Sequence, residues 1–241
     1  FGGLYPNAAI TSAAVAAITT KIQVRAGSVV IPLHDPIRVA EDWAMVDNLS
    51  GGRVGLSFAS GWHANDFALK PDNYERRHEV MRESIDTVLR LWRGEKISVK
   101  NGRGETIEVS VLPRPVRERP PMWIASAGNI ETFRSAGRMG YNILTNMLGQ
   151  DLKDLREKFA AYRQARVEGG HEGDGTISVM LHTFVSDSDE KARELSRRPF
   201  GNYLKSSYDL VKVAPRMFPA FKRPSAQAAA GSSAFDAGAL D

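Results

Sequence analysis

The sequence predicts an α/β protein, a (β/α)8 TIM barrel, on three observations. Strand-like and helix-like segments alternate five times, small residues stand where the strands end, and no glycine-rich phosphate loop of a doubly wound sheet follows any strand. At 241 residues the chain falls in the range where a barrel is still one domain. With 42% hydrophobic and 25% charged residues it can bury a core, which excludes wholesale disorder. It has no cysteine, so disulfides, thiolate zinc sites, iron–sulfur clusters and catalytic thiols are excluded. Chemistry must come from oxygen, nitrogen or a cofactor.

Taken in order, Asn7 is placed to cap a helix over 8–20, whose Ile10, Ala14, Ala17 and Ile18 share a face at helical spacing. The β-branched run Ile22 to Val30 reads as one mostly buried strand, bounded by Pro32. Asp35 followed by Pro36 is an N-cap and first-turn pair for a helix that Ser50-Gly51-Gly52 stops. Arg53 to Ser60 is the second strand. A long helix beyond Asn73 carries Val80, Met81, Ser84, Ile85, Val88, Leu89 and Trp92 three and four apart, and Gly94 closes it.

Residues 97–111 switch to period two around Asn101-Gly102-Arg103-Gly104, which predicts a hairpin inserted between units. Met122 to Ser126 is the third strand, followed by a helix to about Met139; Tyr141 to Thr145 is the fourth. Asp151 caps a helix bearing Leu152, Leu155, Phe159 and Tyr162. Ile177 to Val185 reads as the fifth strand, and Asp187 with Glu190 as a capping box for the next helix. The expected domain is 1–222, and 223–241, rich in Ala, Ser and Gly, is expected to be a disordered or truncated tail.

Partners are constrained by charge. Lys and Arg number 32 against 28 acids, for a net charge of +4, but they are scattered, and the densest basic stretch, Arg114 to Arg119, is interleaved with prolines. This argues against nucleic acid. No run approaches the ~18 apolar residues of a membrane span, and no signal peptide is visible.

A barrel keeps its site in the loops at the strands' C-terminal ends. There, Ser126-Ala127-Gly128-Asn129 runs into a helix containing Thr132, so free backbone N–H groups, the helix dipole and two side chains could converge on an anion. An ordinary turn with Asn129 as N-cap is the alternative. Gly27-Ser28, Ala59-Ser60-Gly61 and Thr145-Asn146, at other strand ends, would leave a slot for a flat ligand, or simply fill barrel layers. His34 and His63 follow strands, His78 lies on a helix, His171 in a glycine-rich linker and His182 within a strand. None has metal-ligand spacing.

Read in succession, Phe1-Gly2-Gly3-Leu4-Tyr5-Pro6-Asn7, Gly27-Ser28-Val29-Val30-Ile31-Pro32-Leu33-His34-Asp35-Pro36, Val46-Asp47-Asn48-Leu49-Ser50-Gly51-Gly52-Arg53-Val54, Ser60-Gly61-Trp62-His63-Ala64-Asn65-Asp66-Phe67 and Trp123-Ile124-Ala125-Ser126-Ala127-Gly128-Asn129 resemble the bacterial luciferase-like flavin monooxygenases. The wording is most similar to the branch found in natural-product biosynthesis, beside or within nonribosomal peptide and polyketide synthases. The resemblance implies a barrel of luciferase-like type that takes reduced FMN from a partner flavin reductase and uses O2 to oxygenate a substrate. It also implies a cytoplasmic homo-oligomer and a substrate that a carrier protein could present. A deazaflavin-dependent oxidoreductase on the same barrel, or a flavin-binding module without catalysis, are the alternatives.

On this resemblance the Ser126-Ala127-Gly128-Asn129 turn with Thr132 corresponds to the flavin-phosphate site, and Gly27, Ser28 and Ser60 line the flavin. Catalytic residues are not assigned. Ser60 stands where some relatives carry a basic residue. Relatives begin with two further strands and close with another, so the barrel is expected to be incomplete at both ends and the chain alone inactive.

Overall fold

The computed structural model describes residues 7–147 and 149–217, so the expected tail lies outside the described residues. In chain order the elements are α1 (Ala8–Ile18), β1 (Val24–Arg25), β2 (Val29–Val30), α2 (Pro36–Ser50), β3 (Val54–Ala59), α3 (Arg77–Trp92), β4 (Ile97–Lys100) and β5 (Thr106–Val109). They continue with β6 (Met122–Ala125), α4 (Ile130–Arg138), β7 (Asn142–Asn146), α5 (Leu152–Glu168), β8 (Ile177–Met180) and α6 (Asp189–Met217). β1 and β2 both pair with β3, then β6, β7 and β8 follow outward, every pair parallel. Such a sheet, its strands added in chain order with helices between them, is an arc of a (β/α)8 barrel.

The register separates two faces. Val24, Val54, Leu56, Phe58, Met122, Ile124 and Ile143 alternate onto the helix side and are buried in the core. The intervening residues, Gly55, Ser57, Trp123, Asn142 and Leu144, share the concave side by that alternation. There Arg25 lies 4.6 Å over the Trp123 ring. A Cβ on Gly27 would come 3.8 Å from Leu144 Cδ2, although β3 and β6 separate their strands, so the sheet is strongly curled.

Local chemistry accounts for the helix starts. Asn7 accepts from Ile10 N, Asp35 from Ile37 N and Arg38 N, Asn129 from Glu131 N, and Asp151 and Asp154 form a capping box. α2 ends on Gly51 in the left-handed region. Two charged side chains tie the elements together. Arg53 uses its guanidinium on Ser50 O, Thr19 Oγ1, Ile22 O, Ala16 O and Thr19 O, gathering the ends of α1 and α2 at the start of β3. Asp47, fully buried in α2, accepts from Val116 N and Arg117 N and so pins the loop leading into β6.

Between α3 and that loop, β4 and β5 pair antiparallel in a separate two-stranded sheet. Its turn is closed by Asn101, whose Oδ1 accepts from Arg103 N and Glu105 N. Ile97 and Val111, at its base, are buried in the main core.

Five expectations need correction. In α1 the buried residues are Ala9 and Ala16, while Ile10 and Ile18 are 70% and 84% exposed. A helix apolar on nearly every side gives spacing no way to choose a face, and alanine allows the closer approach to α2. The strand expected over 22–30 is two short strands, because Ala26, Gly27 and Ser28 lie opposite only Leu56 and Ser57. The extra residue is a bulge that resets the alternation and returns Val29 to the core. β8 stops at Met180, where its only neighbour among the described residues, β7, ends at Asn146; Leu181 to Val185 are exposed and His182 lies beyond the strand. Ser188, not Asp187, caps α6 by accepting from Lys191 N, and Asp187 pairs with Lys191 Nζ instead. Leu152 opens α5 and is exposed.

α4 and α5 approach closely at Gly137, where an added Cβ would overlap Tyr162 O and come within 2.9 Å of Ala165 Cβ. Gly137→Ala is expected to destabilise the fold by about 1–3 kcal/mol, read as a lower urea midpoint. An unchanged midpoint would show that the two helices separate freely.

Candidate functional site

Because all the barrel strands are parallel, Val30, Ala59, Ala125, Asn146 and Met180 end on one rim, and the loops that follow them are neighbours. Two polar groups form there. In the first, Ser28 in the bulge lies 3.0 Å from Ser57, hydroxyl to hydroxyl, and Gly27 beside it faces Leu144 across the concave side. Ser60 follows β3 and its hydroxyl reaches Gly61 O at 3.4 Å. No hydrogen bond among the described residues joins Ser60 to either group.

The second group is built around the β6–α4 turn. Ser126 is buried, and its carbonyl accepts from Thr145 Oγ1 at 2.7 Å. Thr145 Oγ1 in turn accepts from Gln150 Nε2 at 3.1 Å, and Gln150 also donates to Asn146 O. Gln150 Oε1 accepts from Lys158 Nζ at 2.6 Å. Ala127 is half-buried. Gly128 has φ +138°, a region side chains avoid, and a Cβ there would stand 3.3 Å from Gln150 Oε1 and 3.4 Å from Lys158 Nζ. Asn129 caps α4 through Glu131 N, so its carbonyl oxygen is occupied. Thr132 N bonds Asn129 O, and the Thr132 hydroxyl has no hydrogen-bond partner among the described residues.

The structure therefore gathers Ser126, Ala127, Gly128, Asn129 and Thr132 at one helix N-terminus, with Gly27 and Ser28 elsewhere on the concave rim. Sequence reasoning passed over Ser57, Gln150 and Lys158. Ser57 was detectable as a lone hydroxyl in an apolar strand. Gln150 sits next to a helix cap, and Lys158 has the spacing of a solvated helix position, so neither carried a signal.

The histidines are spread out. His34 and His63 occupy the rim. His34 is exposed overall, yet crowding by neighbouring atoms lowers its pKa from the ordinary 6.5, with Asp42 opposing. His63 Nδ1 is 4.0 Å from Asp66 and its ring meets Trp62 edge-on. His182, past β8, packs against Phe200 and Tyr203. His171 lies away from the rim, donating from Nε2 to Arg138 O.

Fold and rim together define a barrel-type α/β protein that presents small residues and one glycine-opened helix N-terminus at its strand ends. The chain belongs to the luciferase-like monooxygenase family, whose sequence profile matches residues 1–238. It is 25% identical over 192 residues to the oxygenase component of a flavin-dependent trigonelline monooxygenase of Acinetobacter baylyi, covering 78% of this chain and 52% of that protein. It is 32% identical over 205 residues to an F420-dependent glucose-6-phosphate dehydrogenase of Amycolatopsis mediterranei, covering 81% and 60%. Its fold is similar to the oxygenating constituent of 3,6-diketocamphane monooxygenase from the CAM plasmid of Pseudomonas putida, a type II Baeyer–Villiger monooxygenase solved with FMN. The TM-score is 0.73 at 20% identity, over 94% of this chain and 65% of that one. The chain spans about half the length of the first relatives it matches. No helix among the described residues is long and apolar enough to cross a membrane.

Thr145 holds the turn from beneath. Thr145→Val removes a buried donor from Ser126 O and an acceptor from Gln150, and is expected to cost about 1–3 kcal/mol. Hydrogen exchange at residues 126–130 should accelerate. Unaltered exchange there would show that the turn keeps its shape without the hydroxyl.

Proposed function

We propose that this chain is the flavin-binding part of a reduced-FMN- and O2-dependent monooxygenase supplied by a separate flavin reductase. The observation that carries the reading is the β6–α4 turn. Gly128 leaves a cradle that a Cβ would fill, the Thr132 hydroxyl has no hydrogen-bond partner among the described residues, and the N-terminus of α4 lies alongside. That set of donors suits a phosphate. In this reading Gly128 and Asn129 offer backbone N–H groups and Thr132 its hydroxyl. Gly27 and Ser28 leave room for a flat ring on the concave side. Bound there, reduced FMN would supply the reactivity toward O2, while the protein orients the ring and keeps water from it.

Family membership and the flavin-dependent relative support the oxygenase assignment, and that relative's designation as an oxygenase component supports the reductase partner. The sequence resemblance extends the reading to a cytoplasmic homo-oligomer acting on a natural-product intermediate of nonribosomal peptide or polyketide type, free or carrier-bound. A second reading, hydride transfer with a deazaflavin, is favoured by the 32% identity to the F420-dependent dehydrogenase. With reduced FMN regenerated by a reductase, the first reading requires O2 consumption. Hydride exchange with F420 and no O2 uptake would replace it with the second.

Titrating FMN against the full chain tests the phosphate assignment. Asn129→Ala and Thr132→Ala are each expected to weaken FMN about ten- to hundredfold, the loss of a hydrogen bond to a charged group or of the cap that shapes the turn. Unchanged affinity in both would remove the side chains from the site.

A further inference from the structure

Just beneath the rim, the concave face carries two hydroxyls that do not fully satisfy each other. Ser57, 2% exposed, is the one polar side chain of β3, set among Val54, Leu56 and Phe58. Among the described residues its hydroxyl has a single hydrogen-bond partner, the Ser28 hydroxyl at 3.0 Å. Two hydroxyls hold two O–H groups, and the one bond between them uses one. A donor left over inside the protein is costly, so the buried Ser57 gives its hydrogen to Ser28, and the half-buried Ser28 turns its own outward.

The surroundings leave that hydrogen open to a ligand. Val29 is in the core, so Ser28 stands on the concave side with Ser57, each two residues below the strand ends at Val30 and Ala59 and thus about 7 Å beneath the rim. Gly27 beside it has no side chain to cover it. Nε1 of Trp123, the register partner of Ser57 on β6, is enclosed by protein atoms and out of reach.

A hydroxyl held at this depth discriminates by chemistry. The central-ring nitrogen of an oxidised flavin accepts a hydrogen bond, and in the reduced ring it is an N–H that donates one. A hydroxyl answers both, because it can donate and accept. In a deazaflavin the same position is a C–H that does neither, and the Ser28 O–H would be covered with nothing to bond.

We propose that the Ser28 hydroxyl, oriented by the buried Ser57, bonds the central-ring nitrogen of the bound flavin and so selects a flavin over a deazaflavin. The inference rests on the reading of a flavin on the concave side given above, and it does not involve the phosphate end of that ligand.

FMN and deaza-FMN, which has a C–H in place of that nitrogen, share the phosphate and every other group. Their affinity ratio in fluorescence titrations with the full chain therefore isolates the ring contact without any measurement of turnover. The wild type is expected to prefer FMN about tenfold, and Ser28→Ala to bring the two near parity by weakening FMN. Ser28→Thr, which keeps the hydroxyl, should retain most of the preference, and Ser57→Ala should lose part of it. Thr132→Ala, at the phosphate end, should weaken both ligands alike and leave the ratio unchanged. With nitrogen-15 at the ring position, the resonance of bound FMN should move in Ser28→Ala toward that of a nitrogen without a hydrogen bond, and thermal melting confirms folding of each variant. A preference for FMN that persists in Ser28→Ala and Ser57→Ala, or a wild type that binds the two ligands equally, would overturn the role of the hydroxyl and leave flavin binding intact. A wild type that binds neither would overturn the flavin reading as well.

Discussion

The constraint on which the rest depends is the unbroken parallel pairing from β1 to β8. Parallel strands added in chain order must return through a helix each time, so all their C-terminal ends, and the loops that leave them, lie on one rim. This is why Ser28, Ser60, Ser126, Asn146 and His182, far apart in sequence, belong to the same side of the molecule. It also explains the division of residue types. The helix-facing side carries Val, Leu, Ile and Phe, while the concave side carries Gly55, Ser57 and Asn142 together with Trp123. The bulge at Ala26 to Ser28 keeps that division through the first strand: had the same residues run on without a bulge, Val29 would turn to the concave face.

Pairing alone does not hold the ends of the elements in place, and two charged side chains, the half-buried Arg53 and the buried Asp47, do much of that. Arg53 satisfies the terminal carbonyls of α1 that no helical N–H reaches, and links them to the last turn of α2. Asp47 receives two backbone N–H groups from the segment that brings the chain back from the hairpin to β6. Both act at the N-terminal side of the sheet, opposite the rim. Stability and site chemistry are thus separated along the strand axis, as in barrels generally.

What could be read from the sequence follows the range of the interactions. Asn7, Asp35, Asn129 and Asp151 were legible as caps because each bonds an N–H two or three residues on. The hairpin was legible because Asn101 and its two glycines define the turn locally. The buried face of α1 was not, since alanines occupy most positions and the choice between Ala9 and Ile10 is made by α2. The end of β8 was equally hidden: it is set by where β7 stops, not by the apolar run from Leu181 to Val185. In the site, the Ser126 to Asn129 turn was visible as small residues before a helix. Thr145 reaches Ser126 through a contact that the β6–β7 pairing creates, and Gln150 and Lys158 join it through the fold of the loop between β7 and α5.

The same physics bears on the choice between the two cofactor classes found among the relatives. A glycine-opened helix N-terminus recognises a phosphate and carries no information about the ring attached to it. A turn of this kind would therefore serve a flavin and a deazaflavin alike, which accords with one fold hosting a flavin-dependent monooxygenase and an F420-dependent dehydrogenase among the relatives. In the proposed reading, selection between them arises where the ring would lie, on the concave face near Gly27, Ser57 and Leu144. The side chains there are small or apolar, and in the hydroxyl pair of Ser28 with Ser57 one O–H is used on the other, which leaves the second free to donate. This part of the face therefore supplies shape together with one hydroxyl donor, and in the proposed reading that donor is the group there able to tell a ring nitrogen from a ring carbon.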